Sequence, residues 1–178
     1  PENYRILDLS KGSWTSDNNE FSIGKYDEYR PGVYTTNLFK GVRNIHVGID
    51  IGGPVGTPCM AFMDGLIHNF GYNSEAGDYG NVIITEHKIS GKTIWALYGH
   101  LDSESILNKH KGQLIKKSEI IGHFGDESEN GGWEPHLHFQ LSLVKPETHD
   151  LPGVVTKEER KSALKKYPDP RLVLGPIY

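Results

Sequence analysis

Pro135-His136-Leu137-His138-Phe139-Gln140-Leu141-Ser142-Leu143 alternates polar and apolar residues without a break. Side chains alternate across a β-strand, so His136, His138, Gln140 and Ser142 share one face. Leu137, Phe139, Leu141 and Leu143 share the other, which reads as a core face. The spacing predicts a strand within Pro135–Val144. The same period recurs upstream in Ile45-His46-Val47-Gly48-Ile49-Asp50-Ile51. There the apolar face is Ile45, Val47, Ile49 and Ile51, and the polar face is His46, Gly48 and Asp50. Further strands are expected at Leu66–Phe70, Asn81–Glu86, Thr93–His100 and Glu119–Phe124. Turn residues such as Ser90-Gly91 stand between them. The pattern predicts an all-β fold, mainly antiparallel, with a barrel- or sandwich-like core and long loops.

The rest of the chain fits one domain of 178 residues,. Residues 1–42 are polar and turn-rich, with one or two short strands expected. Residues 43–144 carry the strand pattern, and 145–178 form a C-terminal extension. One helix is expected at Lys157–Tyr167, with Thr156 as cap, Glu159 at the capping-box position and Pro168 beyond its end. Lys plus Arg number 19 and Asp plus Glu 23, giving a net charge of −4. That balance argues against binding along a phosphate backbone, so no nucleic-acid partner is expected. No apolar run reaches the roughly 18 residues of a membrane span. The lone Cys59 has no partner for an internal disulfide and reads as a small buried residue,. No signal-peptide pattern is visible at Pro1.

The polar faces carry the chemistry. His46 and Asp50 are two strand positions from Gly48, which leaves a notch that a divalent metal would fit. The plain alternative is a surface strand whose His and Asp face water. His136 and His138 add two imidazoles to a strand buried behind them. Histidine and carboxylate together suit Zn²⁺, and three protein ligands with an open position make a catalytic site. Strand geometry does not say which of His136 and His138 is the ligand. His100 closes Leu97-Tyr98-Gly99-His100, where a strand gives way to a loop. His68, His87, His110, His123 and His149 fall in no such pattern and read as structural or solvent-facing.

Taken in order, HVGID at 46–50, YGHL at 98–101 and PHLHFQ at 135–140 resemble the zinc metallopeptidases of the lysostaphin and LytM type. The resemblance runs from about Asn44 to Val144 and includes Gly56-Thr57-Pro58. It implies the fold of that family and an endopeptidase cutting peptide bonds in peptidoglycan cross-links or stem peptides. It further implies that one Zn²⁺ is held by His46, Asp50 and His138, while His100 and His136 act on the attacking water and the oxyanion. The flanks resemble a subgroup fused to class III aminotransferases, through Gly24–Glu28 and Asn130–Trp133. Departures are Gly131–Glu134 before the last motif and Gln140 where Glu is common; both are expected to line the substrate cleft. Tyr26–Tyr34 is expected to form a cover or wall of that cleft. The acidic loop of Asp126, Glu127 and Glu129 is a candidate for attracting a cationic substrate group. Trp133 is read equally as a stacking surface or a loop closure. The alternatives are a non-catalytic zinc-binding or regulatory domain, and a histidine phosphocarrier. A peptidoglycan substrate implies a periplasmic or extracellular address, while the lack of a visible leader keeps a cytoplasmic one open.

Overall fold

The computed structural model describes residues 3–12 and 20–178. In chain order the strands are β1 (Arg5–Ile6), β2 (Ser22–Gly24), β3 (Glu28–Tyr29), β4 (Ile45–His46), β5 (Ile49–Gly52), β6 (Pro58–Met60) and β7 (Gly65–Asn73). They continue as β8 (Gly80–Ile89), β9 (Lys92–Leu101), β10 (Leu114–Ile115), β11 (Ile120–His123), β12 (His136–Ser142) and β13 (Val154–Val155). Three short helices, α1 (Glu104–Leu107), α2 (Arg160–Lys166) and α3 (Arg171–Leu174), complete the elements used below. None of them is long and apolar enough to cross a membrane.

One eight-stranded sheet runs β1-β2-β5-β12-β9-β8-β7-β10, and smaller sheets pair β11 with β6 and order β13-β4-β3. Among the described residues, only the β1–β2 pairing is parallel. The fold is therefore mainly antiparallel β, as the alternation predicts. Ser90 and Gly91 turn β8 into β9 with φ of 49° and 78°. Two left-handed residues match the twist of the flanking strands, so the turn is tight.

β12 is central, paired with β5 on one side and β9 on the other. Its Leu137, Phe139 and Leu141 pack against Ile67, Ile83, Ala96 and Tyr98 in the main core. Its polar face is buried as well, because all seven residues of the strand are covered. Cys59 lies in that core, 2% exposed, as expected for a small buried residue.

The structure corrects several boundaries. Ile45–Ile51 is not one strand: the ladder breaks at Val47–Gly48, where the chain leaves the small sheet for the large one. Leu143 lies past the end of β12 and is exposed instead of core. Residues 22–29 are built into both sheets, since β2 pairs with β5 and β3 with β4. At the C-terminal end, the Thr156 N–H donates to Glu159 Oε2 (3.0 Å) and the Glu159 N–H to Thr156 Oγ1 (3.2 Å). This is the expected capping box, although regular helix begins only at Arg160,. Ala163 of α2 packs on Ile45, Val47 and Val155, steadying the strand that carries His46.

Candidate metal centre

The strand register assembles the site. Gly24, Asp50, His138 and Gly99 lie side by side across β2, β5, β12 and β9. Cross-strand partners project to the same face, so Asp50 and His138 meet directly. His46 arrives from the small sheet, flanked by Glu28 and Val154. His46 Nε2, Asp50 Oδ1 and His138 Nδ1 form a nearly equilateral triangle. His46 Nε2 lies 3.0 Å from His138 Nδ1 and 3.1 Å from Asp50 Oδ1, and the His138–Asp50 distance is 3.1 Å. All three residues are buried.

The outer partners decide the tautomers. His46 Nδ1 is 3.0 Å from the Lys25 carbonyl, which can only accept, so Nδ1 carries the proton and Nε2 the lone pair,. His138 Nε2 is 3.0 Å from Gln140 Oε1, and the other end of Gln140 donates to the Pro152 carbonyl (3.4 Å). His138 Nε2 is then the donor and Nδ1 holds the lone pair. With the rings in these tautomers, two imidazole nitrogens and a carboxylate oxygen point lone pairs at one spot. The short His46–His138 contact has no proton to make it a hydrogen bond. Like-polarity atoms this close are accommodated by a cation among them. Ligands on a tetrahedral zinc-like ion stand about 3.3 Å apart, close to the spacing seen. The donor set fits a metal.

Electrostatics agree. Burial lowers His46 to about 4, with the nearby Arg30 charge adding to the effect, so the ring is neutral at pH 7. Burial alone would raise the Asp50 carboxyl, but His46 and Arg30 outweigh it and hold it well below the usual range.

His136 and His100 flank the triangle. His136 Nδ1 donates to the Glu134 carbonyl (2.6 Å), and its Nε2 is 3.8 Å from Asp50 Oδ1. His100 Nδ1 donates to the Asn130 carbonyl (2.7 Å). The two rings lie 4.2 Å apart, centroid to centroid. Both keep a lone pair on Nε2. Burial lowers both pKa values, and His136 lowers His100 further. His100 has φ of 67°, a costly conformation for a residue with a side chain and one that gathers at functional sites,.

All five expected residues line one cleft of about 200 Å³ with Tyr34, Phe39, Trp133 and the 150–154 segment. Trp133 stands edge-on to Tyr34 and Phe39 at 6.0 and 6.5 Å. Of the Tyr26–Tyr34 stretch only Tyr34 reaches the cleft; Tyr26 instead donates to the Tyr167 carbonyl. The acidic loop does not line it. Besides Asp50, the cleft carboxylates are Asp78 and Asp150, both raised by burial. Gln140 corrects a further expectation: it is fully buried behind His138 and touches a candidate ligand, not the cleft.

Sequence reasoning missed the residues behind these side chains. Asn130 is fully buried; its Oδ1 accepts from the Gly132 and Trp133 N–H groups and its Nδ2 donates to the Gly125 and Trp133 carbonyls. That locks the carbonyl which orients His100. The Asn-Gly-Gly-Trp string marked the place without revealing this role. Arg30 left no periodic signal at all. His68, His87, His110, His123 and His149 stay outside the cluster, as expected.

A family model described as Peptidase family M23 matches residues 44–150. The chain is 33% identical over 138 residues to a protein of Haemophilus influenzae named as an uncharacterized metalloprotease, covering 74% of this chain and 27% of that one. It is 32% identical over 123 residues to the DD-carboxypeptidase/endopeptidase Mpg of Neisseria meningitidis serogroup B, covering 67% and 26%. The chain therefore spans about a quarter of the length of these relatives. Among solved structures, the catalytic domain of the antimicrobial peptidase lysostaphin from Staphylococcus simulans superposes with a TM-score of 0.53 at 26% identity, covering 78% of this chain and 90% of that one.

Proposed function

The chain belongs to peptidase family M23, and from that membership we propose that it is a zinc-dependent endopeptidase cutting peptide bonds in peptidoglycan cross-links or stem peptides. The observation that carries the reading is the convergence of three lone-pair atoms, each fixed by a partner behind it. His46, Asp50 and His138 would hold the ion; two nitrogens and one carboxylate oxygen suit zinc and leave a position open. When bound, zinc supplies Lewis acidity and a water of lowered pKa.

The chain's own residues do the rest. His100, its Nδ1–H held by the Asn130 carbonyl, presents Nε2 as a proton acceptor for the attacking water,. His136, oriented likewise by the Glu134 carbonyl, serves as its counterpart, passing a proton on or steadying negative charge on the substrate carbonyl once protonated,. Their depressed pKa values keep both in the basic form at neutral pH. The aromatic wall of Tyr34, Phe39 and Trp133 confines the peptide. The peptidoglycan assignment draws on the printed activity of the Neisseria relative. A phosphocarrier has no use for Asp50 between two imidazoles.

The test is digestion of purified sacculi of several cross-bridge types by the zinc-loaded protein. Soluble fragments bearing new amino and carboxyl ends are expected from at least one type. His100→Ala, which keeps the three ligand residues, should slow release on the order of 10²–10⁴-fold. Full activity in that variant would contradict the catalytic scheme. A zinc-loaded protein that releases nothing from any sacculus would favour the non-catalytic alternative.

A further inference from the structure

Arg30 is completely buried, a rare state for arginine that is costly unless every donor is used,. Its Nε donates to Glu28 Oε2 (2.9 Å). Nη1 donates to Asp50 Oδ2 (2.6 Å) and to the Tyr34 hydroxyl oxygen (2.9 Å), and Nη2 to the Lys25 carbonyl (3.1 Å). Two of these contacts lead to the candidate metal ligands. Asp50 Oδ2 is engaged by the guanidinium, so only Oδ1 faces His46 and His138. The Lys25 carbonyl that holds Arg30 also accepts from His46 Nδ1–H.

We propose that Arg30 is the positioning residue of the metal centre, fixing Asp50 directly and His46 through the shared Lys25 carbonyl. This rests on the metal-site reading above and extends it to residues 24–34, upstream of the matched 44–150 region. Charge supports the assignment. The Arg30 cation is flanked by two carboxylates, Glu28 at 2.9 Å and Asp50 at 2.6 Å, and Glu28 also meets the Lys25 ammonium at 3.3 Å. Asp50 is thus held by an ion pair on its Oδ2 side while Oδ1 stays turned to the two imidazoles.

Gly24 supplies an independent observation. It stands opposite Asp50 in the β2–β5 register. A Cβ there would sit 2.9 Å from Arg30 Nη2 and 3.1 Å from Asp50 Oδ2. Its φ is not in the left-handed region, so space rather than backbone conformation calls for glycine. The missing side chain is what lets guanidinium and carboxylate meet. Lysine could not replace the arginine: one ammonium cannot reach Glu28, Asp50 and the Lys25 carbonyl in three directions at once.

Three variants test this: Arg30→Lys, Gly24→Ala, and the double change Glu28→Gln with Arg30→Met, which removes both charges of that pair together. Zinc affinity is read by chelator competition, ligand geometry by the visible spectrum of the cobalt(II)-loaded protein, and folding by the melt of the metal-free protein. Zinc binding 10–100-fold weaker than wild type is expected, with a changed cobalt spectrum, in variants that still melt cooperatively. Folded variants with affinity within twofold of wild type and an unchanged spectrum would overturn the proposal. Loss of folding in all three would assign the network to the fold alone and overturn it too. A wild-type protein that binds neither zinc nor cobalt would instead overturn the metal reading itself, and the two failures are told apart by that control.

Discussion

At the scale of single residues, the recurring device is a histidine whose tautomer is set by one acceptor behind it. His46, His100 and His136 each donate Nδ1–H to a carbonyl, of Lys25, Asn130 and Glu134. His87 uses the same device far from the cleft. Its Nδ1 donates to the Asp64 carbonyl (3.0 Å) and its Nε2 accepts from the Thr85 hydroxyl (2.7 Å). Burial lowers its pKa below the usual 6.5. A histidine with a depressed folded pKa contributes stability that is full above the unfolded value and is lost as pH falls through the folded one. Below about pH 6.5 the unfolded chain binds the extra proton, and each such group adds a slope of up to about 1.4 kcal/mol per pH unit. Urea unfolding of the metal-free protein should show stability falling from pH 7 to pH 5, with a shallower fall in His87→Gln. Parallel slopes for wild type and variant would remove His87 from this role. His46 with Asp50 and His136 with His138 were legible in the sequence because a period of 2 puts each pair on one face, and His100 was legible from its place at a strand end and from the family resemblance. Their partners were not, because a carbonyl acceptor such as that of Lys25 or Asn130 leaves no mark on residue type.

At the scale of elements, the break between β4 and β5 matters more than either strand. A continuous Ile45–Ile51 strand would keep His46 and Asp50 in one sheet; the break delivers them from two. Gly48 sits in the gap, and a Cβ there would lie 2.5 Å from His138 Cε1 and 2.6 Å from its Nε2. The notch read from the sequence is real, but the His138 ring fills it. Gly48→Ala should push that ring aside, weaken metal binding at least about tenfold and lower stability by roughly 1–3 kcal/mol, the usual cost of overpacking. Metal titration and thermal melts check both effects. An alanine tolerated with unchanged affinity would show that the contact does not hold His138. The second face of β12 was legible as a pattern but not as buried, since much of its cover comes from distant segments. Gln140 shows the consequence, for its Oε1 meets His138 and its Nε2 reaches Pro152.

At the scale of the whole molecule, the large sheet supplies Asp50, His138, His136 and His100, and the small sheet supplies His46. The antiparallel β class followed from alternation and turn residues. The joining of residues 22–29 to both sheets did not, because two- and three-residue strands are too short to show a period. Upstream and downstream segments together close the site: Arg30 and Tyr34 from one side, Pro152 and Gly153 from the other. The decisive measurement is the zinc-to-protein ratio after exhaustive dialysis, compared among wild type, His138→Ala and His136→Ala. Ratios near one, near zero and near one are expected, because removing a ligand leaves two donors while His136 lies outside the triangle,. A wild-type ratio near zero would contradict the metal centre, and zinc lost from His136→Ala but kept in His138→Ala would reverse the ligand assignment.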